Sequence, residues 1–213
     1  MLMGDMSHYK KFRDGLQAGL QALWRPQFLS AVRNGGFEQT LRNVCLPYIE
    51  EATGRMAFTE ADERGDLILR SVRPGQAVST RCEFKTNFAC QFEDIVDRSG
   101  QAIRQATPIA HSGQDGIAVY AVAELVFVGD HVLGDAELHN EYVKSPRYKL
   151  FRDAKKSEQL MEKVCAAMGL RAIPTQGYEP VFPHGICELW LPDGSGFARL
   201  HAWTYYIPAT MSR

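Results

Sequence analysis

From Asp5 to Trp24 apolar residues return at near-helical spacing, at Phe12, Leu16, Leu20, Leu23 and Trp24. This pattern predicts an amphipathic helix with Lys10, Lys11, Arg13 and Arg25 on its polar side. Pro26 suits the start of a short helix that Asn34-Gly35-Gly36 ends. Phe37, Leu41, Val44 and Tyr48 then mark a further helix, bent at Pro47 and finished by Thr53-Gly54. Alternation replaces the helical period after that. Arg55 to Thr59 reads as a first strand, the charged stretch Glu60 to Gly65 as a turn, and Asp66 as the opening of the apolar run Leu67-Ile68-Leu69. Arg73-Pro74-Gly75-Gln76 has the composition of a hairpin turn and leads into a strand around Arg81 to Asn87.

Helical spacing returns from about Gln91 to Thr107, with Phe92, Ile95, Val96, Ala102, Ile103 and Ala106 on one face and Ser99-Gly100 as a point of interruption. Ile117 to Val128 is almost continuously apolar, as in a strand buried on both faces. Its single acid, Glu124, is expected near a sheet edge. Gly129 to Arg147 reads as loop, with His131 and His139 exposed and not at zinc-site spacing, and Lys144 to Arg171 as mainly helical. Cys187 to Trp190 and Phe197 to Ile207, joined through Pro192-Asp193-Gly194-Ser195-Gly196, form a closing hairpin. Trp203, Tyr205 and Tyr206 read first as core packing, with base stacking as the alternative.

Composition narrows the architecture. With 213 residues, 45% of them hydrophobic, the chain is long enough for one domain with a substantial core, spanning 1–213. The expected class is α/β, with a central mixed sheet flanked by helices, an N-terminal helix, and a C-terminal helix plus hairpin. A net charge of −1 argues against a protein that coats nucleic acid without specificity, yet it allows a locally basic cleft. Between Lys144 and Arg171 eight basic side chains face three acidic ones, an excess of +5. Lys144, Arg147, Lys149, Arg152, Lys155 and Lys156 are therefore candidate phosphate contacts, against a solvated helix face as the alternative. Five scattered cysteines without a Cys-x-x-Cys pair suit buried thiols in a reducing compartment. Neither a signal peptide nor a membrane-spanning run is visible, so a cytoplasmic location without a membrane partner is expected.

Candidate chemistry centres on the strand Arg81 to Asn87. Side chains alternate along a strand, so Cys82 and Phe84 turn to the core while Glu83 and Lys85 share the opposite face. Should Asp66 on the neighbouring strand point to the same place, two carboxylates and an ammonium converge. That set suits a hard cation with a proton-handling group beside it. A second acid-x-Lys triplet, Asp153-Ala154-Lys155, lies in a charged helical stretch and lacks such a partner. Glu38 sits in the first turn of its helix, where an acid is favoured by the helix dipole and could pair with Arg42 at i+4. Glu50 and Glu51 are rival acids on the same helix. The bland alternative for Glu83 and Lys85 is a solvated charge pattern on a sheet.

Asp66 followed by Glu83-Phe84-Lys85 resembles the Asp…(Asp/Glu)-x-Lys signature of the PD-(D/E)XK nuclease superfamily, the restriction-endonuclease-like proteins. The resemblance covers about 36–129 and extends to element order, α-β-β-β-α-β, with Glu38 in the place of the acid on the preceding helix. It implies a Mg²⁺-dependent endodeoxyribonuclease similar to type II restriction enzymes, with Mn²⁺ as a substitute. Asp66, Glu83 and the Phe84 carbonyl would hold the ion, and Lys85 and Glu38 would complete the catalytic set. In some relatives a Gln-x-x-x-Tyr element lies on the following helix. Here Gln101 and Gln105 are one turn apart without the tyrosine, so no such role is transferred. Duplex DNA is the implied partner, and a homodimer would offer both strands equivalent sites. The other function classes weighed are a nuclease-fold protein that binds without cutting, and a glycoside hydrolase using paired carboxylates with no requirement for lysine.

Overall fold

The computed structural model describes residues 6–23, 37–58, 66–71, 79–88, 92–108, 113–127, 179–181, 187–190 and 196–209. In chain order these form α1 (Met6–Ala22), α2 (Phe37–Thr53), β1 (Arg55–Phe58), β2 (Leu67–Ser71), β3 (Ser79–Phe88), α3 (Phe92–Ala106), β4 (Asp115–Phe127), β5 (Glu179–Pro180), β6 (Cys187–Trp190) and β7 (Gly196–Ile207). The strands make one mixed seven-stranded sheet in the order β1-β2-β3-β4-β7-β5, with β6 also paired to β7. Among the described residues only β3 and β4 run parallel; the other pairs are antiparallel. A parallel pair needs a long crossover, and α3 supplies it.

Two helical layers cover the sheet. On one face α1 and α2 close the main core, where Phe12, Leu16, Leu20, Leu41 and Ile49 meet Leu67, Leu69, Cys82, Phe84, Ile117 and Val119. Burying each such side chain contributes roughly 1.5–3 kcal/mol before conformational entropy is set against it. The two helices approach closely because α1 presents Gly15 and Gly19, one turn apart, to α2. A Cβ on Gly15 would sit 2.6 Å from the Tyr48 carbonyl oxygen, and one on Gly19 2.5 Å from Cys45 Cα. On the other face α3 lies against β3 and β4. Its C-terminal turn rests directly on Gly116, where any side chain would collide with the Ala106 carbonyl.

The helix that the sequence divides at Ser99-Gly100 is continuous. Ser99 is fully buried, so packing on the sheet holds together a turn that local propensity would weaken. Pro47 is likewise accommodated inside α2. Cys45 and Cys82 are buried free thiols, as their composition suggested. Glu124 lies one residue past the end of the β3 pairing, opposite Arg199 of β7. Among the described residues no helix is long and apolar enough to cross a membrane.

Candidate active site at the open edge of β3

The site arises where β2 stops. β2 pairs with β3 only as far as Leu67 opposite Cys82, whereas β4 accompanies β3 on its other side to Phe88. Among the described residues no strand pairs with 83–88 on the side away from β4. Backbone amides directed to that side need other acceptors. Asp66, just ahead of β2, takes the Phe84 amide on Oδ2 at 2.7 Å. Glu38, in the first turn of α2, takes the Thr86 amide on Oε2 at 3.3 Å. Two carboxylates thus serve as acceptors along this side of β3.

Their remaining oxygens meet cations. Asp66 Oδ1 lies 2.8 Å from Arg42 Nη1, and Glu38 Oε1 lies 3.3 Å from Lys85 Nζ. Lys85 Nζ also lies 2.5 Å from Glu83 Oε1. Asp66, Glu83, Lys85 and Glu38, drawn from α2, the start of β2 and β3, are therefore brought into one cluster, and Arg42 joins it. Glu83 and Lys85 share a face as alternation requires, but that face is not solvated: the Glu83 side chain is 3% exposed. The other two acids on α2 lie elsewhere in function or burial. Glu50 accepts the Ala57 amide at 2.7 Å and so caps β1, and Glu51 is exposed.

Burial and charge shape how the pair holds protons. Burial raises the proton affinity of Glu83; the hydrogen bond from Lys85 counters this, and the nearby Asp66 and Glu38 carboxylates add to it. Lys85 is also driven upward: burial pulls it down, but the hydrogen bond to Glu83 and the charges of Glu38, Glu83 and Asp66 outweigh that. The ammonium stays charged at neutral pH, beside a carboxylate easier to protonate than an exposed one.

Several expected residues fall outside this cluster. Lys144, Arg147, Lys149, Arg152, Lys155 and Lys156 lie outside the described residues, as do His131, His139 and the turn Arg73-Pro74-Gly75-Gln76. Trp203 and Tyr205 are buried, and Trp203 stacks on Tyr120 with ring centroids 6.4 Å apart, so packing is their role. Gln101 is exposed; the side-chain oxygen of Gln105 is buried with no hydrogen-bond partner among the described residues. Arg42, which helical spacing pairs with Glu38, instead pairs with Asp66. Its position one turn after Glu38 was the available signal, because both side chains then leave α2 on one face.

Among the described residues no three His, Cys, Asp or Glu side chains are gathered closely enough to hold an ion by themselves. The chain matches no protein-family model, no curated protein and no solved structure.

Proposed function

We propose that this chain is a divalent-metal-dependent endodeoxyribonuclease that hydrolyses DNA phosphodiester bonds, on a core of the PD-(D/E)XK kind. The observation that carries the reading is the meeting of Asp66, Glu83 and Lys85 at the open edge of β3, with Lys85 held between Glu83 and Glu38. The donor set suits a hard cation. A buried carboxylate whose proton affinity is raised by burial and by two neighbouring acids gains from a positive ion beside it. Asp66, Glu83 and the Phe84 carbonyl would hold Mg²⁺ or Mn²⁺, which when bound acidifies water and offsets charge on the phosphate.

The chain's own groups then have defined parts. Lys85 donates hydrogen bonds to the attacking water or to a phosphate oxygen, and it acts as a cation, since its neighbours keep it protonated. Glu83 fixes the ammonium from one side and Glu38 from the other. The Asp66 carboxylate, bound to the Phe84 amide, is held in register with Glu83 on the strand. DNA enters this reading as a duplex, with the basic segment 144–156 as its proposed backbone contact and a homodimer as the assembly that cuts both strands.

A second reading is a nuclease-fold protein that binds DNA or another partner without cutting. It is favoured by the capping of the Phe84 and Thr86 amides, which gives Asp66 and Glu38 a structural task of their own. Metal dependence separates the two. Mg²⁺ or Mn²⁺ should support cleavage of duplex DNA, and Ca²⁺ should permit binding with little cutting. Cleavage that survives exhaustive chelation contradicts the metal chemistry, and binding with no cleavage in any metal selects the second reading.

A further inference from the structure

Arg42 is the charged member of the cluster to which the proposed reaction assigns no task. It leaves α2 one turn after Glu38, and its Nη1 lies 2.8 Å from Asp66 Oδ1. The other oxygen of that carboxylate accepts the Phe84 amide at 2.7 Å. Both oxygens of Asp66 are thus engaged. The side chains are 22% and 16% exposed, so the pair is shielded enough to matter and open enough to be exchanged. Counting Asp66, Glu83 and Glu38 against Lys85 and Arg42, three acids and two bases leave the cluster at −1. A phosphodiester approaching such a site is repelled, and a divalent cation would bring it to +1.

We propose that Arg42 is the resident counter-ion of Asp66, holding that carboxylate against the Phe84 amide until a divalent cation takes Oδ1 in its place. The inference rests on the reading of Asp66 as a metal ligand. Arg42 is then a positioning residue: it keeps Asp66 oriented and its charge offset while no ion is bound, and it gives way when one arrives. Cation binding and the Arg42–Asp66 pair exclude one another, so weakening the pair tightens the cation by up to the same factor, and the cation in turn weakens the pair. A residue that merely stiffened the fold would have no such reciprocal effect.

Mn²⁺ binding to the full chain without DNA tests this, by electron paramagnetic resonance of the free ion and by calorimetry. Arg42→Gln keeps much of the length of the side chain and a hydrogen-bond donor but removes the charge, and it should bind Mn²⁺ about tenfold more tightly than wild type, within the usual range of such coupling. In an Asp66→Asn background the same substitution should change affinity by no more than about twofold, because the competition has lost its object. Arg42→Lys, which keeps the charge without the planar fork, should fall between Arg42→Gln and wild type. In wild type, Mg²⁺ should perturb the guanidinium NMR signals of Arg42.

Unchanged or weaker Mn²⁺ binding by Arg42→Gln overturns the proposal while leaving the metal reading in place. A tenfold gain that persists in the Asp66→Asn background also overturns it, because the effect would then be a general field. Failure of both wild type and Arg42→Gln to bind Mn²⁺ removes the metal reading itself and this inference with it.

Discussion

The two halves of β3 are treated differently by the fold. Its first half, 79–82, is paired with β2 on one side and from Thr80 with β4 on the other, and the buried Thr80 hydroxyl is spent on structure. Thr80 Oγ1 lies 3.1 Å from His8 Nε2 and 2.7 Å from Arg55 Nη1, and Arg55 Nη1 is 2.8 Å from the same His8 nitrogen. Since Arg55 can only donate, His8 Nε2 accepts. That triangle ties α1 to β1 and β3. The second half, 83–88, has β4 as its strand partner among the described residues, and on the other side the Asp66 and Glu38 carboxylates accept the Phe84 and Thr86 amides. One strand therefore serves as scaffold up to Cys82 and as candidate chemistry beyond it, and the end of β2 marks the change.

Substitution at Lys85 should break the second half hardest. Lys85→Met is expected to lower cleavage by roughly 10²–10⁴-fold, as loss of a positioned catalytic group does. Contrary to the expectation for a surface lysine, it should also destabilise, because Glu83 is left buried without its partner. A loss of about 3 kcal/mol at neutral pH is the low end for breaking such a pair. The deficit depends on pH. Glu83 holds its proton more tightly in the fold than the ordinary value of 4.5, so its charged form is the one that costs stability. The gap between Lys85→Met and wild type should shrink as pH falls through the folded value and Glu83 protonates. In wild type the Lys85 contribution should be complete below its ordinary value of 10.5 and lost as pH rises through the higher folded one. Denaturant midpoints measured across pH check both signs, and a gap independent of pH would contradict the buried-pair account.

A smaller effect is expected in the first half. His8→Ala removes one corner of the triangle and should cost about 2 kcal/mol, mainly through the polar groups it leaves unsatisfied. Cleavage per folded molecule should be unchanged, as His8, Arg55 and Thr80 meet at the half of β3 that pairs with β2. Parallel melts and single-turnover rates test this, and a large fall in rate without a fall in stability would blur the division of β3.

Much of this division was legible in the chain. Period-two alternation put Cys82 and Phe84 in the core and Glu83 and Lys85 opposite, and Leu67-Ile68-Leu69 announced β2 beside them. Helical spacing from Phe37 placed Glu38 in a first turn, and the near-continuous apolar run of β4 signalled a strand covered on both faces. Burial of Glu83 was not legible, because alternation assigns it a face of the strand but not what covers that face. Nor was the role of Asp66 as a cap, since that requires knowing where β2 ends relative to β3. Local propensity also suggested a break at Ser99-Gly100 that tertiary packing overrides.

We propose that the second half of β3 carries phosphodiester hydrolysis. Glu83→Gln tests it most directly, because it keeps the shape of the side chain and its hydrogen bonding while removing the charge. Single-turnover cleavage of supercoiled plasmid in Mg²⁺ should proceed with wild type and be at least about 10²-fold slower with Glu83→Gln, with DNA binding retained in both. Wild type that leaves the plasmid intact in Mg²⁺ and Mn²⁺ alike, or a Glu83→Gln protein that cuts as fast as wild type, would contradict it.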